Sequence, residues 1–127
     1  MDTVREESTA LIEAKLYDEN GNAVAQASIN GFTVTLFERE SGDVINSRTG
    51  VDLYDSGSWD AVSGMKATVD SAGNCTIRLA ADDNQIISDS DEGEVHVIQI
   101  TITTTGSLPV TINQEIEYYV QNLTKIT

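Results

Sequence analysis

The amino-acid sequence predicts an all-β fold, an antiparallel sandwich of about seven or eight strands. Apolar residues alternate with polar ones at a period of two, which is the signature of strands that bury one face. The alternating runs are short, rich in β-branched residues and separated by turn-forming residues at intervals of about 10 residues. Spacing typical of helices is nearly absent, so we expect two sheets that enclose one core.

The alternation defines the strands in order. The first predicted strand covers residues 10–17, and a second alternates over residues 32–36. A hairpin follows over residues 65–79, isoleucines at every second position mark residues 96–103, and the last strand lies around residues 115–120. Side chains two residues apart share a face of a strand. The positions predicted to face the core are Ala10, Ile12, Ala14, Leu16, Phe32, Val34, Leu36, Met65, Ala67, Val69, Cys75, Ile77, Leu79, Ile98, Ile100, Ile102, Ile116, Tyr118 and Val120.

Three connections share a turn pattern. Residues 18–22, 39–43 and 70–74 each place glycine fourth, followed by Asn or Asp. This spacing suits a type I turn closed by a glycine with positive φ, after which the chain returns antiparallel. The only proline, Pro109, follows a further break and lies outside any predicted strand interior, as an antiparallel sheet requires.

Two segments interrupt this rhythm. Residues 46–64 contain three glycines and two large aromatics, Tyr54 and Trp59, and are interpreted as a long loop, a type of loop that is often functional. Tyr54 and Trp59 are the candidate interface residues, because Trp and Tyr are enriched at the centres of protein interfaces. The alternative is that this loop folds back and plugs one end of the sandwich. The second segment covers residues 80–94, and within it residues 82–85 suit a short helical turn.

Length and charge limit the classes of function. A chain of 127 residues fits one domain, and we expect residues 9–127 to form it, with residues 1–8 as a flexible N-terminal arm and residues 122–127 as a second arm. Seven Lys and Arg against 21 Asp and Glu give a net charge of −14, which argues against nucleic acid and anionic membranes as partners. The beginning of the sequence lacks the pattern of a signal peptide, so we expect synthesis in a cytoplasm.

The residues offer few parts for catalysis, and we expect no enzyme, no catalytic residue and no cofactor. The chain has one cysteine and one histidine. By its position in the alternation, Cys75 is a small core residue. His96 shares a face with Ile98 and is interpreted as a structural histidine, since no Gly-x-Ser-x-Gly elbow accompanies it.

Acidic residues raise the question of a metal. Asp89, Asp91, Glu92 and Glu94 could supply oxygen ligands, but their order does not match the twelve-residue calcium loop. The turn at residues 18–22 begins like such a loop, yet its glycine comes two positions early. Solvated turns are the favoured interpretation, so no metal site is predicted. Calcium bound across two loops is the alternative, and it would stabilise the fold and not catalyse a reaction.

Several segments together resemble a known family. They are LYDENG at residues 16–21, ASINGFTVTLF at 27–37, SGDVI at 41–45, DSAGN at 70–74, TIRL at 76–79, ADDN at 81–84, EVHVI at 94–98 and YVQNL at 119–123. In these segments the chain is similar to small immunoglobulin-like virion structural proteins of tailed bacteriophages, of the head-decoration, neck or baseplate type. The resemblance spans nearly the whole chain and consists of turn and strand patterns.

The resemblance implies an immunoglobulin-like β-sandwich that acts through protein–protein contacts and carries no catalytic residue. It implies an accessory part on the capsid or at the head–tail junction, located in the virion and made in the host cytoplasm. The expected partners are capsid, portal or tail proteins, and further copies of the chain could join them. The alternative is a carbohydrate- or ligand-binding module in which Trp59 and Tyr54 stack on a sugar, with calcium as a stabiliser.

Overall fold

The described part of the chain forms nine strands that pair into two sheets. A computed structural model describes residues 1–55, 57–88 and 92–123. The strands are β1 (Asp2–Arg5), β2 (Ala10–Lys15), β3 (Ile29–Glu38), β4 (Val51–Asp55), β5 (Ser58–Trp59), β6 (Lys66–Val69), β7 (Asn74–Leu79), β8 (Gly93–Thr104) and β9 (Thr111–Gln121). The larger sheet has the order β1-β9-β8-β3-β4-β5, and the smaller one has the order β2-β7-β6.

This strand order is that of an immunoglobulin-like β-sandwich in which two extra strands extend one sheet. The predicted fold class is therefore confirmed. The structure adds the short edge strands β1 and β5, which bring the number of strands to nine in the described chain. One pair departs from the antiparallel pattern, because β1 runs parallel to β9.

The core lies between the inner faces of the two sheets. Phe32, Val34 and Leu36 of β3 are fully buried, as are the alternate isoleucines of β8. The smaller sheet contributes Ile12 from β2 and the buried face of the β6–β7 hairpin. Of the positions predicted to face the core, only Ala10, Ala14 and Ile116 are half-buried, and all the others are buried.

The segment 46–64 is not a long loop, so that expectation was wrong. It contains β4 and β5, which pair antiparallel and extend the larger sheet beyond β3. The register against β3 shifts between Phe32 and Thr33, and the consecutive residues Leu53 and Tyr54 are both buried. This bulge breaks the alternation of period two, which is why the sequence pattern concealed the strand.

The three predicted turns have the predicted glycine conformation, with φ of 80° at Gly21, 74° at Gly42 and 83° at Gly73. The turn at residues 70–74 joins the paired strands β6 and β7. The turn at residues 39–43 begins a longer connection to β4, which does return antiparallel to β3. After residues 18–22 the chain forms one bridge and then crosses to the other sheet. A short 3-10 turn at Ala81–Asn84 agrees with the predicted helical turn.

The N-terminal residues belong to a sheet, which differs from the expected arm over residues 1–8. Asp2–Arg5 pair with β9, and Val4 is buried. The following backbone stays attached, because the Glu6 amide donates to the Gln121 carbonyl at 3.0 Å. Such pairing joins residues more than 100 positions apart, so a local sequence pattern does not reveal it. The flexibility of these residues stays a prediction, and residues 124–127 of the expected second arm lie outside the described residues.

Candidate functional site

The two candidate interface residues lie beside the core. Tyr54 is buried, with 7% of its surface exposed, and Trp59 is half-buried. The ring centroid of Trp59 lies 4.4 Å from that of Tyr54 and 5.3 Å from that of Phe32, the latter pair meeting edge to face. The hydroxyl of Tyr54 accepts a hydrogen bond from Gln26 at 3.2 Å. In this aromatic cluster of Phe32, Tyr54 and Trp59, the Trp59 ring packs on the core from strand β5 and not from a loop that closes one end of the sandwich. An interface role for Tyr54 and Trp59 stays a prediction.

A buried ion pair holds three connections together at one place. The guanidinium of Arg48 donates to the carboxylate of Asp83 at 2.7 and 3.2 Å, and both side chains are almost fully buried. Arg48 also donates to the carbonyls of Val62 and Ser63, each at 2.9 Å. Asp83 accepts a further bond from Asn46 at 2.9 Å. These bonds connect the segment after β3 with those before β6 and after β7, so the pair has a structural role.

A second buried polar group surrounds the only histidine. His96 Nε2 lies 2.6 Å from the carboxylate of Glu94, and His96 Nδ1 lies 3.3 Å from the hydroxyl of Tyr118. That hydroxyl donates to Asn84 Oδ1 at 2.9 Å. Since an ionised carboxylate only accepts hydrogen bonds, the network assigns the imidazole hydrogen to Nε2. The carboxylate also accepts from the Ser88 hydroxyl at 2.6 Å, which fixes the segment before β8.

We call His96, Glu94, Ser88, Tyr118 and Asn84 the histidine cluster. Burial and hydrogen bonding shift the pKa values of its three titratable side chains, His96, Glu94 and Tyr118. Desolvation lowers the pKa of His96, although the charge of Glu94 opposes the shift. Desolvation alone would raise the pKa of Glu94, but hydrogen bonds from Ser88, the Ile87 amide and His96 outweigh it and lower that pKa. Burial raises the pKa of Tyr118. Burial therefore favours the uncharged form of the imidazole, whereas the hydrogen bonds to Glu94 favour its ionised carboxylate.

The histidine cluster contains Ser, His and Glu, the residue types of a hydrolase triad, but not in its geometry. The Ser88 hydroxyl bonds to the carboxylate of Glu94, whereas a nucleophile must bond to the imidazole. His96 is fully buried. The only cysteine offers no substitute, because burial raises the pKa of Cys75 to about 12 and keeps it as the thiol. The cluster therefore serves to fix the segment before β8.

The acidic residues considered as metal ligands are only partly described. Asp89 and Asp91 lie outside the described residues, and the carboxylate of Glu94 is occupied by its bonds to His96 and Ser88. In the turn at residues 18–22, Asp18 accepts bonds from two amides of its own turn. Across residues 1–55, 57–88 and 92–123, no group of three or more His, Cys, Asp or Glu side chains could hold a metal ion.

Positive charge is concentrated on one surface. Lys15, Lys66 and Arg78 lie on the outer face of the smaller sheet, and all three are exposed. We call them the basic face. Of the other cations in the described chain, Arg48 is in the buried ion pair, Arg39 lies 3.1 Å from Glu117, and Arg5 is exposed on β1. The basic face therefore carries three exposed cations and one exposed carboxylate, Glu13, on a chain with a net charge of −14.

The interpretation of His96 as a structural histidine is confirmed, because it is buried and hydrogen-bonded. Sequence reasoning missed the partners of His96, the ion pair and the basic face, and the first and last of these left a signal. Glu94 and His96 have the same parity as Ile98, which places a carboxylate and an imidazole on the buried side of one strand. Lys15, Lys66 and Arg78 all have the parity opposite to the core positions of their strands. Arg48 and Asp83 lie in irregular segments, where no periodicity predicts which side chains meet.

Comparison with known proteins assigns neither a family nor a function. No family model matches the chain, and no curated protein matches it. A solved structure described as that of murine CRIg is similar at 14% sequence identity and a TM-score of 0.43, covering 94% of this chain and 90% of the other. Within the described chain, no helix is both long and apolar enough to cross a membrane.

Proposed function

We propose that this chain is a non-enzymatic structural protein of a tailed-phage virion, an accessory part on the capsid or at the head–tail junction. It acts through protein–protein contacts with capsid, portal or tail proteins. The sequence resemblance supports this role, and the immunoglobulin-like sandwich is a fold suited to it. Its place is the virion, which it joins after synthesis in the host cytoplasm.

One observation carries the proposal: the side chains suited to chemistry are buried and used to hold the fold. His96 and Cys75 have almost no exposed surface, and the carboxylates of Glu94 and Asp83 are bonded within the core. The described surface instead offers the edges of strands, and its basic face is separate from the acidic remainder of the surface. Such a surface can recognise another protein by hydrogen bonds, shape and charge, without a reaction.

The charge of the chain supports the same role. A net charge of −14 keeps a free subunit soluble and repels it from packaged DNA. Attachment to a particle must then occur at a specific surface. The carbohydrate-binding alternative has less support, because stacking on a sugar needs an exposed ring face and the ring of Tyr54 is buried.

Virions purified from the phage that encodes this chain provide the test. Particles are banded in a density gradient, and their proteins are quantified by mass spectrometry against the major capsid protein. We expect this chain to sediment with the particles at a fixed ratio to the capsid protein. Its recovery only in the soluble fraction, while the capsids band normally, would refute the proposal. Glycan-array binding that Trp59→Ala abolishes would support the carbohydrate-binding alternative instead.

A further inference from the structure

Strand β2 has an open edge. It pairs with β7 on one side, and no strand of the described chain pairs with its other side. The Leu16 amide donates to the Gly73 carbonyl at 2.9 Å, so the even-numbered residues point their backbone groups toward β7. Odd-numbered residues point away from β7. Accordingly, the Lys15 carbonyl accepts a bond from the Gln114 side chain at 2.9 Å, and the Tyr17 amide donates to the same side chain.

Gln114 covers only one end of this edge. In the described chain, no hydrogen bond reaches the outward backbone groups of Leu11 and Glu13. Leu11, the second residue of β2, is also 64% exposed although it is a large apolar residue. A groove of about 570 Å³, lined by residues 2–5 and 8–12, runs beside the edge. The outward backbone groups at the centre of this edge are therefore open to pairing with a further strand.

The charge of the molecule indicates which partner can approach. Two copies with a charge of −14 each repel one another over most of their surfaces. The β2 strand itself has no net charge on its outer face, because Glu13 and Lys15 balance, and Arg78 lies opposite Leu11 on the neighbouring strand β7. A second copy therefore meets less repulsion at this strand than the net charge of the chain alone would produce.

We propose that two copies of this chain pair through their β2 edges, antiparallel, about a two-fold axis at Ile12. In this register Leu11 lies opposite Glu13 of the partner subunit, and Glu13 lies opposite the partner's Leu11. Four N–H···O bonds then satisfy the open backbone groups of both copies. The two Leu11 side chains become diagonal neighbours and cover each other, whereas the two Glu13 side chains form the other diagonal, each with Lys15 two residues along on the same face. The two smaller sheets join into one sheet of six strands, and each copy presents the same surface, as a two-fold dimer requires.

The inference concerns the isolated chain and does not depend on its proposed role in a virion. Its test is sedimentation velocity of the full chain over a wide concentration range, with Glu13→Pro compared with Glu13→Ala. Proline removes an amide that donates no hydrogen bond in the described part of the chain, and proline is tolerated at such edge positions. We expect a dimer for the unaltered chain and for Glu13→Ala. Glu13→Pro should weaken dimerisation at least about tenfold, since it removes two hydrogen bonds per dimer.

A chain that stays monomeric at all concentrations would overturn the proposal and leave the edge for a strand of another protein. Equal dimerisation of the proline and alanine variants would also overturn it. If Glu13→Pro does not fold, disulfide cross-linking tests the register directly. A mixture of Leu11→Cys and Glu13→Cys should form a disulfide-linked heterodimer, because residues opposite each other lie within disulfide range.

The cross-linking control is Thr76→Cys mixed with Leu11→Cys. Thr76 lies on the outer face of the same sheet, one strand away from the edge. Cys75 does not interfere, because it is buried and its pKa is raised to about 12. Cross-linking of the Leu11→Cys and Glu13→Cys mixture no greater than that of the control would contradict the proposed register.

Discussion

Trp59→Ala decides between the two interpretations of the aromatic cluster. Replacing a fully buried Phe or Trp by Ala costs about 3–5 kcal/mol. Trp59 is half-buried but touches both Tyr54 and Phe32, so we expect a loss of about 2 kcal/mol from the free energy of unfolding. For a domain of this length the unfolding entropy is about 0.27 kcal/mol/K, so the melting temperature should fall by about 7 °C.

The assay is thermal unfolding followed by circular dichroism, together with urea unfolding to confirm the free energy. Leu108→Ala is the matched control, because Leu108 is 87% exposed and its removal should change stability by less than about 0.5 kcal/mol. Trp59→Phe should recover part of the loss by restoring a ring. If Trp59→Ala changes the melting temperature no more than Leu108→Ala does, the Trp59 ring does not stabilise the fold, and this result supports the interface interpretation.

Three further predictions concern the interior. Asp83→Ala should lower the free energy of unfolding, measured in urea, by about 3–5 kcal/mol, since it leaves Arg48 buried without its partner. Adding Arg48→Met should restore part of the lost free energy. If the double variant is no more stable than Asp83→Ala, the unpaired charge of Arg48 is not the cause of the loss. Folded His96 has a pKa below its unfolded value of 6.5, so the folded state binds fewer protons and stability falls as the pH drops below 6.5. His96→Gln should therefore remove the decline in melting temperature between about pH 7 and 5.5. If the decline is unchanged in this variant, a titratable group other than His96 causes it. Ile100→Asp should abolish cooperative unfolding, because it buries an unpaired charge at a cost of several kcal/mol, and a retained thermal transition would refute this.

The strands that the sequence revealed are those whose contacts follow from local alternation. In β8, Ile98, Ile100 and Ile102 occupy one face, and all are fully buried. The β6–β7 hairpin was equally visible, because its turn at residues 70–74 lies directly between the two paired strands. In such cases the period of two and the turn chemistry determine the structure, and both can be read from neighbouring residues.

Other features depend on contacts between distant residues. The parallel pairing of β1 with β9 joins Val4 to Val120, and nothing in the four residues of β1 indicates it. The bulge at Leu53 and Tyr54 removes the alternation on which a strand prediction relies. The ion pair of Arg48 and Asp83 forms between connections, where the three-dimensional path of the chain alone decides which side chains meet.

The charge distribution gives different partners opposite responses to salt. Salt screens the repulsion between two acidic copies, so pairing through the β2 edges should strengthen as the ionic strength rises, because hydrogen bonds and the contact of Leu11 are little affected by screening. An acidic protein that docks on the basic face gains from attraction to Lys15, Lys66 and Arg78, and the same screening should weaken that complex. A basic partner on the acidic remainder of the surface should also lose affinity. The sign of the salt dependence therefore separates self-association from docking on other proteins, even before an interface is mapped.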